Sequence, residues 1–229
     1  TDYEENEYVN INASVPDEHV SAGVNFWVAA TEFDMAVETL RDLYLAGESI
    51  EVTVKSRDLT GEPVASDVRL EVLKRIFDST TTSEVRVQGV AVSSGDKGVS
   101  KATLRLTEGG TYILRAFSKD RFGNPIVAEK SIFISGNEDS NRLRIITERE
   151  EFRVGETPSL KVVYREKPAL ALVTYELQSV YRYKLIELKE GENQVPINIV
   201  DELVPNFTLA IAVMNGNRFF TTDKEFTAI

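Results

Sequence analysis

Two stretches decide the fold of this chain: Arg41-Asp42-Leu43-Tyr44-Leu45-Ala46-Gly47-Glu48 and Arg149-Glu150-Glu151-Phe152-Arg153-Val154-Gly155-Glu156. They share an Arg, an aromatic residue and a Gly-Glu pair at the same spacing, and they begin 108 residues apart. A run in which apolar and polar residues alternate follows each of them. A repeat of this length has the size of one β-sandwich. The sequence therefore predicts an array of similar modules.

Alternation with a period of two residues recurs along the chain, most clearly at 9–15, 50–54, 68–72 and 195–199. This pattern is typical of strands with one buried and one solvated face, as in antiparallel sheets. No helical pattern of comparable length is present. We therefore predict an all-β protein of tandem, immunoglobulin-like antiparallel β-sandwich modules, each with about seven strands.

Turn residues separate the predicted strands. Asp58–Pro63 and Asp120–Pro125 share the form D-x-x-G-x-P, in which Asp can accept hydrogen bonds from nearby amides and Gly allows positive φ. Both segments are predicted to be hairpin corners. Phe77–Gly98 is rich in Ser and Thr and is predicted to be a weak strand between mobile loops.

A second self-similarity sets the domain boundaries. Residues 8–29 resemble residues 112–135, which close a module that begins near Thr31. The earlier copy is then expected to close a module whose start is missing, and Thr1 in place of Met favours an excised fragment. The predicted divisions are 1–30 (last strands of a truncated preceding module), 31–136 (complete sandwich), a polar joint at 135–140 and 141–229 (complete sandwich).

Composition limits the classes of partner. The 37 acidic and 26 basic residues give a net charge of −11, which disfavours nucleic acid and anionic lipid. No apolar run has the length of a membrane span, so we expect no membrane insertion by this segment. The chain has no Cys, which excludes disulfides, thiolate metal sites and any thioester within it.

The chain offers no set of residues for catalysis. His19 is its only His and lies in a predicted solvated turn without a second His or Cys. Nucleotide-binding and metalloprotease motifs are absent. We therefore predict no catalytic residue, no cofactor and no metal site, and hence no enzyme. The acidic clusters are interpreted as solvated, with a calcium site or glycosidase pair as alternatives: Asp2, Glu4, Glu5 and Glu7; Asp17 and Glu18; Glu148, Glu150 and Glu151.

Several single residues have two interpretations each. Asn12 and Asn206 head N-glycosylation triplets, which also arise by chance. Trp27 is expected to plug a core or a joint between modules, with a sugar-stacking platform as the alternative. Tyr44 and Phe152 recur at one phase of the repeat, so each ring is predicted to be buried at one end of its own sandwich.

The ordered motifs resemble those of a known family. Leu40–Glu48, a strand and then Arg57–Val64 look like the opening of a macroglobulin (MG) domain of bacterial α2-macroglobulins. Ala169–Glu176, Gly191–Ile197 and Val204–Phe207 resemble the MG domain close to the bait region. The resemblance covers nearly the whole chain.

This resemblance implies a broad-spectrum endopeptidase inhibitor of many domains that traps a protease after bait cleavage. MG domains of the family are sandwiches of seven strands that form a non-catalytic scaffold. The implied partners are proteases, through the full-length parent, and neighbouring MG domains of the same chain. The implied location is periplasmic or extracellular, with a membrane anchor through a missing N-terminus as an option. This chain departs from a complete inhibitor, since it lacks the thioester Cys and a long cleavable insertion.

Two other classes of protein fit the same periodicity. An immunoglobulin-like stalk or adhesin segment of a bacterial surface protein is the main alternative. An accessory sandwich of a secreted hydrolase is the third. Further identical repeats and a wall anchor in the parent reading frame would favour the stalk.

Overall fold

The structure is a computed structural model. It describes residues 7–15, 17, 19–78 and 80–229, apart from the side chain of residue 96. These residues form strands, turns and short 3₁₀ helices, among them Gly95–Lys97 and Asp201–Leu203, and contain no α-helix. The predicted all-β fold of tandem sandwich modules is confirmed.

The chain begins with an antiparallel hairpin of two strands, β1 (Glu7–Val15) and β2 (Val20–Val28). Tyr8 is opposite Trp27. His19 has a positive φ of 54° and is exposed in the turn between the strands, as predicted.

Eight strands follow in the first module: β3 (Asp34–Thr39), β4 (Leu43–Leu45), β5 (Ser49–Arg57), β6 (Asp67–Phe77), β7 (Thr82–Ser93), β8 (Val99–Arg105), β9 (Gly110–Lys119) and β10 (Pro125–Ser135). They form a sheet of three strands in the order β3-β5-β8 and a sheet of five in the order β4-β10-β9-β6-β7. The short β4 is parallel to β10, whereas β6 is antiparallel to β7 and β9.

The second module repeats this arrangement with β11 (Leu143–Ile146), β12 (Glu151–Phe152), β13 (Ser159–Tyr164), β14 (Ala169–Glu176), β15 (Val180–Leu188), β16 (Gly191–Pro196), β17 (Asn206–Asn215) and β18 (Arg218–Ala228). Its sheets have the orders β11-β13-β16 and β12-β18-β17-β14-β15. β12 is parallel to β18, as β4 is to β10. The repeat in the sequence is therefore a repeat of strand topology. Each module has eight strands rather than the expected seven when the short β4 and β12 are counted.

The alternating runs place their apolar residues inside. In β5, Ile50, Val52 and Val54 are buried while Glu51 is exposed. One buried cluster unites both sheets of the second module, and it includes Leu160, Val162, Val173, Val195, Phe207, Ile211 and Phe226. Burial of this apolar surface is the main stabilising contribution to such a fold.

The strand predicted between loops within Phe77–Gly98 is present, but it is long and well paired rather than weak. β7 spans Thr82–Ser93 and pairs along its length with β6. Its register shifts between Val72 and Leu73 of β6, the position of a β-bulge or irregularity. Ser and Thr lowered the predicted strand character because their local signal is that of turns, whereas pairing with β6 decides the conformation.

The predicted hairpin corners have the expected hydrogen bonds. Asp58 Oδ1 accepts the amide N–H groups of Thr60 and Glu62 at 2.8 and 2.9 Å, and Gly61 has a φ of 89°. Asp120 Oδ1 accepts the amide N–H groups of Phe122 and Asn124 at 2.9 and 2.8 Å. The D-x-x-G-x-P form therefore gives the same local turn twice. Only Asp120–Pro125 is a hairpin corner, because β9 and β10 are neighbours in one sheet; the prediction of a hairpin at Asp58–Pro63 is wrong, because β5 and β6 lie in different sheets.

Spatial proximity divides the chain into two compact units. The first comprises residues 1–40, 49–105 and 111–132, and the second comprises 41–48, 106–110 and 133–229. The divisions at 1–30, 31–136 and 141–229 rest instead on sequence self-similarity. They remain a prediction.

Candidate functional site

The repeated sequence motif forms the same side-chain cluster twice, and both copies belong to the second compact unit. We call this cluster of an Arg, an aromatic residue and a Glu an aromatic bracket. Arg41 lies over the ring of Tyr44, 4.6 Å from its centroid, and its Nη2 is 2.9 Å from Glu48 Oε1. Arg149 lies 4.7 Å from the centroid of Phe152, and its Nη2 is 2.6 Å from Glu156 Oε2. A cation over a ring face and an ion pair thus hold each aromatic residue.

The backbone around the two brackets is also equivalent. Gly47 N–H donates to the carbonyl oxygen of Leu106 at 2.7 Å, and Gly155 N–H donates to that of Ile199 at 2.9 Å. Both rings are 2% exposed, which confirms the prediction that Tyr44 and Phe152 are buried. The brackets are therefore structural features.

Glu48 adds charge contacts to the first bracket. Its Oε2 accepts the Leu45 amide N–H at 2.9 Å, and its Oε1 lies 3.5 Å from Lys161 Nζ. Burial alone would raise the pKa of Glu48, but the Leu45 amide, Arg41 and Lys161 outweigh it and lower the pKa. Glu48 is thus held in its charged form.

The predicted polar joint contains a buried ion cluster. Arg144 Nε and Nη2 donate to the two carboxylate oxygens of Asp139 at 2.6 and 2.9 Å. Ser135 Oγ donates to Asp139 Oδ2 at 2.5 Å, and Arg165 Nη2 donates to Ser135 Oγ at 2.8 Å. Composition predicted a polar linker here but not this cluster, because Arg165, which completes it through Ser135, is 30 residues away in sequence.

The electrostatics of this cluster favour its charged state. Burial would raise the pKa of Asp139, but the hydrogen bonds from Arg144, Ser135 and the Asn141 amide lower it overall. Burial lowers the pKa of Arg165, and the charge of Asp139 opposes that shift. A buried acid matched by guanidinium groups is a structural arrangement, since Arg is a poor proton donor at neutral pH.

The acidic clusters that could form a metal or catalytic site are only partly described by the structure. Asp2, Glu4, Glu5 and Glu18 lie outside the described residues, whereas Glu7 and Asp17 are exposed. Glu150 pairs with Lys224 at 2.6 Å. In the part of the chain that the structure describes, no three His, Cys, Asp or Glu side chains converge as metal ligands.

Trp27 does not occupy a core. Its side chain is 63% exposed and its ring lies 5.2 Å from that of Tyr8. Among the described residues the prediction of a plug is therefore wrong, because β1 and β2 form a sheet of two strands on which the Trp27 ring is exposed. The glycosylation triplets begin at exposed positions, Asn12 in β1 and Asn206 at the start of β17.

The second module contains an open cleft beside the loop before β17. Its volume is about 590 Å³, and its lining includes Glu176, Tyr181, Pro205, Thr208 and Glu225. The Val204-Pro205 peptide bond at its edge is cis. Sequence reasoning noticed the Val204-Pro205 segment only as a family motif.

No helix among the described residues has the length and apolarity needed to cross a membrane.

Residues 143–226 match the family described as the alpha-2-macroglobulin bait region domain. No curated protein matches the chain.

Among solved structures, Escherichia coli α2-macroglobulin activated by porcine elastase is 14% identical with a TM-score of 0.38, covering 96% of this chain and 24% of that chain. The trypsin-activated form of the E. coli protein is 11% identical with a TM-score of 0.35, covering 96% and 20%. Superoxide reductase (neelaredoxin) from Ignicoccus hospitalis is 20% identical with a TM-score of 0.31, covering 44% and 80%.

Likenesses this distant carry no information about function, and this chain spans about a quarter of the elastase-activated E. coli protein. The family match is a separate finding, because it falls on the second module and begins at the first residue of β11. The family resemblance of the sequence is therefore confirmed for residues 143–226, which match the alpha-2-macroglobulin bait region domain.

Proposed function

We propose that this chain is a non-catalytic scaffold segment of an α2-macroglobulin-like endopeptidase inhibitor, a protease trap. The observation that carries this proposal is the match of residues 143–226 to the bait region domain, which coincides with strands β11–β18. The parent protein is proposed to be periplasmic or extracellular and to act on proteases through parts outside this chain.

The two modules support a scaffold role through their shared architecture. Both have a sheet of three strands and a sheet of five in equivalent order. Buried aromatic brackets at Tyr44 and Phe152 and the Asp139 cluster stiffen the second compact unit. A trap that changes shape after one cleavage needs domains that move as rigid bodies.

We also propose that the chain has no catalytic, cofactor or metal-binding residue. In the described residues, His19 is exposed in a turn, and no three His, Cys, Asp or Glu side chains converge as metal ligands. We propose that residues 1–30, 31–136 and 141–229 are successive MG-type segments that contact neighbouring MG domains of the parent.

The test compares the complete product of the open reading frame with this chain alone. Each is incubated with trypsin or elastase, and cleavage of casein and of a small chromogenic peptide is measured. A trap encloses the protease, so the parent protein should suppress casein cleavage while peptide cleavage continues. The isolated chain should change neither rate.

Two results would contradict the proposal. Unchanged casein cleavage with the parent protein would exclude a trap. Stoichiometric protection of casein by the isolated chain would exclude a purely structural role for it.

A further inference from the structure

The equivalent five-stranded sheets of the two modules have very different outer faces. By outer face we mean the side of each sheet that points away from the buried residues of its own sandwich. In the second module, Leu170 and Leu172 alternate with the buried residues Ala171 and Val173 and therefore lie on this outer face.

The outer face of the second module is apolar over adjacent strands. Leu172 of β14 is opposite Leu185 of β15 on one side and Ala212 of β17 on the other. Met214 of β17 is opposite Phe219 of β18, and these two side chains are 61% and 63% exposed. These residues, with Leu170 and Tyr183, form a contiguous exposed apolar surface, a feature typical of interaction sites.

The charged residues on the same face all have one sign. Alternation along β12, β14, β15 and β18 puts five carboxylates there: Glu151, Glu176, Glu187, Asp223 and Glu225. The Lys and Arg residues of these strands point the other way, as Lys224 does between Asp223 and Glu225. None of the five carboxylates has an ion pair with a described Lys or Arg.

The outer face of the first module is neutralised by ion pairs across its strands. Glu71 Oε1 is 2.7 Å from Arg69 Nη2 and 3.3 Å from Arg86 Nε. Glu84 pairs with Arg75 at 3.1 Å and with Arg115 at 2.8 Å. The fold therefore does not require an apolar, acidic surface at this position of the sheet.

The acidic end of the second outer face is concave. Thr208 of β17 is opposite Glu176 of β14 on one side and Glu225 of β18 on the other. All three residues line the open cleft of about 590 Å³. Adjacent strands lie about 4.8 Å apart, so a cationic side chain over Thr208 could reach both carboxylates.

We infer that the outer face of the second module's five-stranded sheet is a docking surface for a protein segment that presents apolar side chains beside Lys or Arg. The apolar residues supply buried area, and the five unpaired carboxylates select a cationic partner. A second copy of this chain is disfavoured because two acidic faces would repel each other. The absence of Lys and Arg on the face also disfavours an anionic bilayer. This inference does not depend on the proposed protease trap.

The test uses a fluorescein-labelled peptide as long as β17, 10 residues, in which Val and Phe alternate with Thr and a pair of Arg ends the sequence. Fluorescence anisotropy is measured with the intact chain, and a peptide with Glu in place of Arg is the comparison. We expect saturable binding of the Arg peptide that weakens with salt, and at least tenfold weaker binding of the Glu peptide, on the order of 1.4 kcal/mol.

Two double variants locate the site. One variant combines Leu172→Ser with Leu185→Ser, and the other combines Glu176→Gln with Glu225→Gln. Each should weaken binding of the Arg peptide at least about tenfold without changing the melting temperature. The matched control, Glu62→Gln with Glu190→Gln, removes the same charge from exposed positions outside the strands of this sheet and should bind as the parent chain does.

Equal binding of the Arg and Glu peptides would show that the surface binds apolar segments without selecting a cationic partner, and this would overturn the inference. So would absence of saturation, or unchanged affinity in either double variant. A third result would also overturn the inference: sedimentation could reveal a dimer of the parent chain that is absent in the variant Leu172→Ser with Leu185→Ser. A second copy of the chain would then be the occupant of the surface.

Discussion

Arg144 donates two hydrogen bonds to Asp139, from Nε at 2.6 Å and from Nη2 at 2.9 Å, and thereby anchors the segment that leads into the second module. The Asp139 side chain is almost completely buried. Removing one partner of a buried pair leaves the other charge uncompensated, at a cost of about 3–5 kcal/mol. We therefore expect Asp139→Ala to lower the free energy of unfolding of the second unit by that amount. Urea denaturation measures it, and the exposed neighbour variant Glu138→Gln should melt like the parent chain.

Acid should remove the same contribution. The folded-state pKa of Asp139 is lowered, so the stabilisation is fully present above the ordinary value of 3.8 and is lost as pH falls through the lowered pKa. We expect the stability difference between the parent chain and Asp139→Asn to shrink as pH is lowered below that ordinary value. Urea midpoints measured across this range provide the check. A difference that grew at low pH would show that Asp139 is not held ionised.

Phe152 is predicted to be a major core contributor of the second unit. Its ring is buried, 5.7 Å from that of Phe226. Truncation of a buried Phe costs about 3–5 kcal/mol, so Phe152→Ala should lower the unfolding free energy by that amount. Phe219→Ala, at an exposed position of the same unit, serves as the control and should have a much smaller effect. Similar losses in both variants would mean that Phe152 contributes no more than a surface ring.

The Tyr44 hydroxyl distinguishes the two brackets, because Phe152 has none. It accepts the Arg41 amide N–H at 3.0 Å. Loss of the hydroxyl leaves this amide without that acceptor while the ring remains, so Tyr44→Phe should cost about 1 kcal/mol. Tyr44→Ala should cost several times more. Thermal unfolding of both variants gives the ratio, and equal losses would assign the whole effect to the hydroxyl.

Two glycines of the first unit should differ in their response to a methyl group. Gly61 and Gly98 have φ values of 89° and 60°, so Ala would be strained at both. At Gly61 an added Cβ meets nothing within 4 Å, whereas at Gly98 it would lie 2.4 Å from the Ser56 carbonyl oxygen. Gly61→Ala should cost about 1–2 kcal/mol, and Gly98→Ala should cost more because the backbone must also move. The order of the two urea midpoints tests this expectation.

The sequence alone determined features that depend on local patterns. Alternation at 50–54 set which side of β5 is buried, and D-x-x-G-x-P set the corners at Asp58 and Asp120. The repeat of Arg, aromatic residue and Gly-Glu predicted two equivalent modules, since each motif makes its bracket from residues within eight positions of one another. Such short-range interactions are encoded where they occur.

Tertiary structure decided the features that depend on distant partners. The length of β7 follows from pairing with β6. The Asp139 cluster is completed by Arg165, which donates to Ser135 from 30 residues away in sequence. The exposure of Trp27 was also decided at this level, since its hairpin is a sheet of two strands where the structure describes the chain. The apolar outer face was also invisible to sequence reasoning, because Leu172 and Met214 come together only through the register of β14 with β17. Alternation states that a strand has two faces, but neighbouring strands determine which residues meet on each of them.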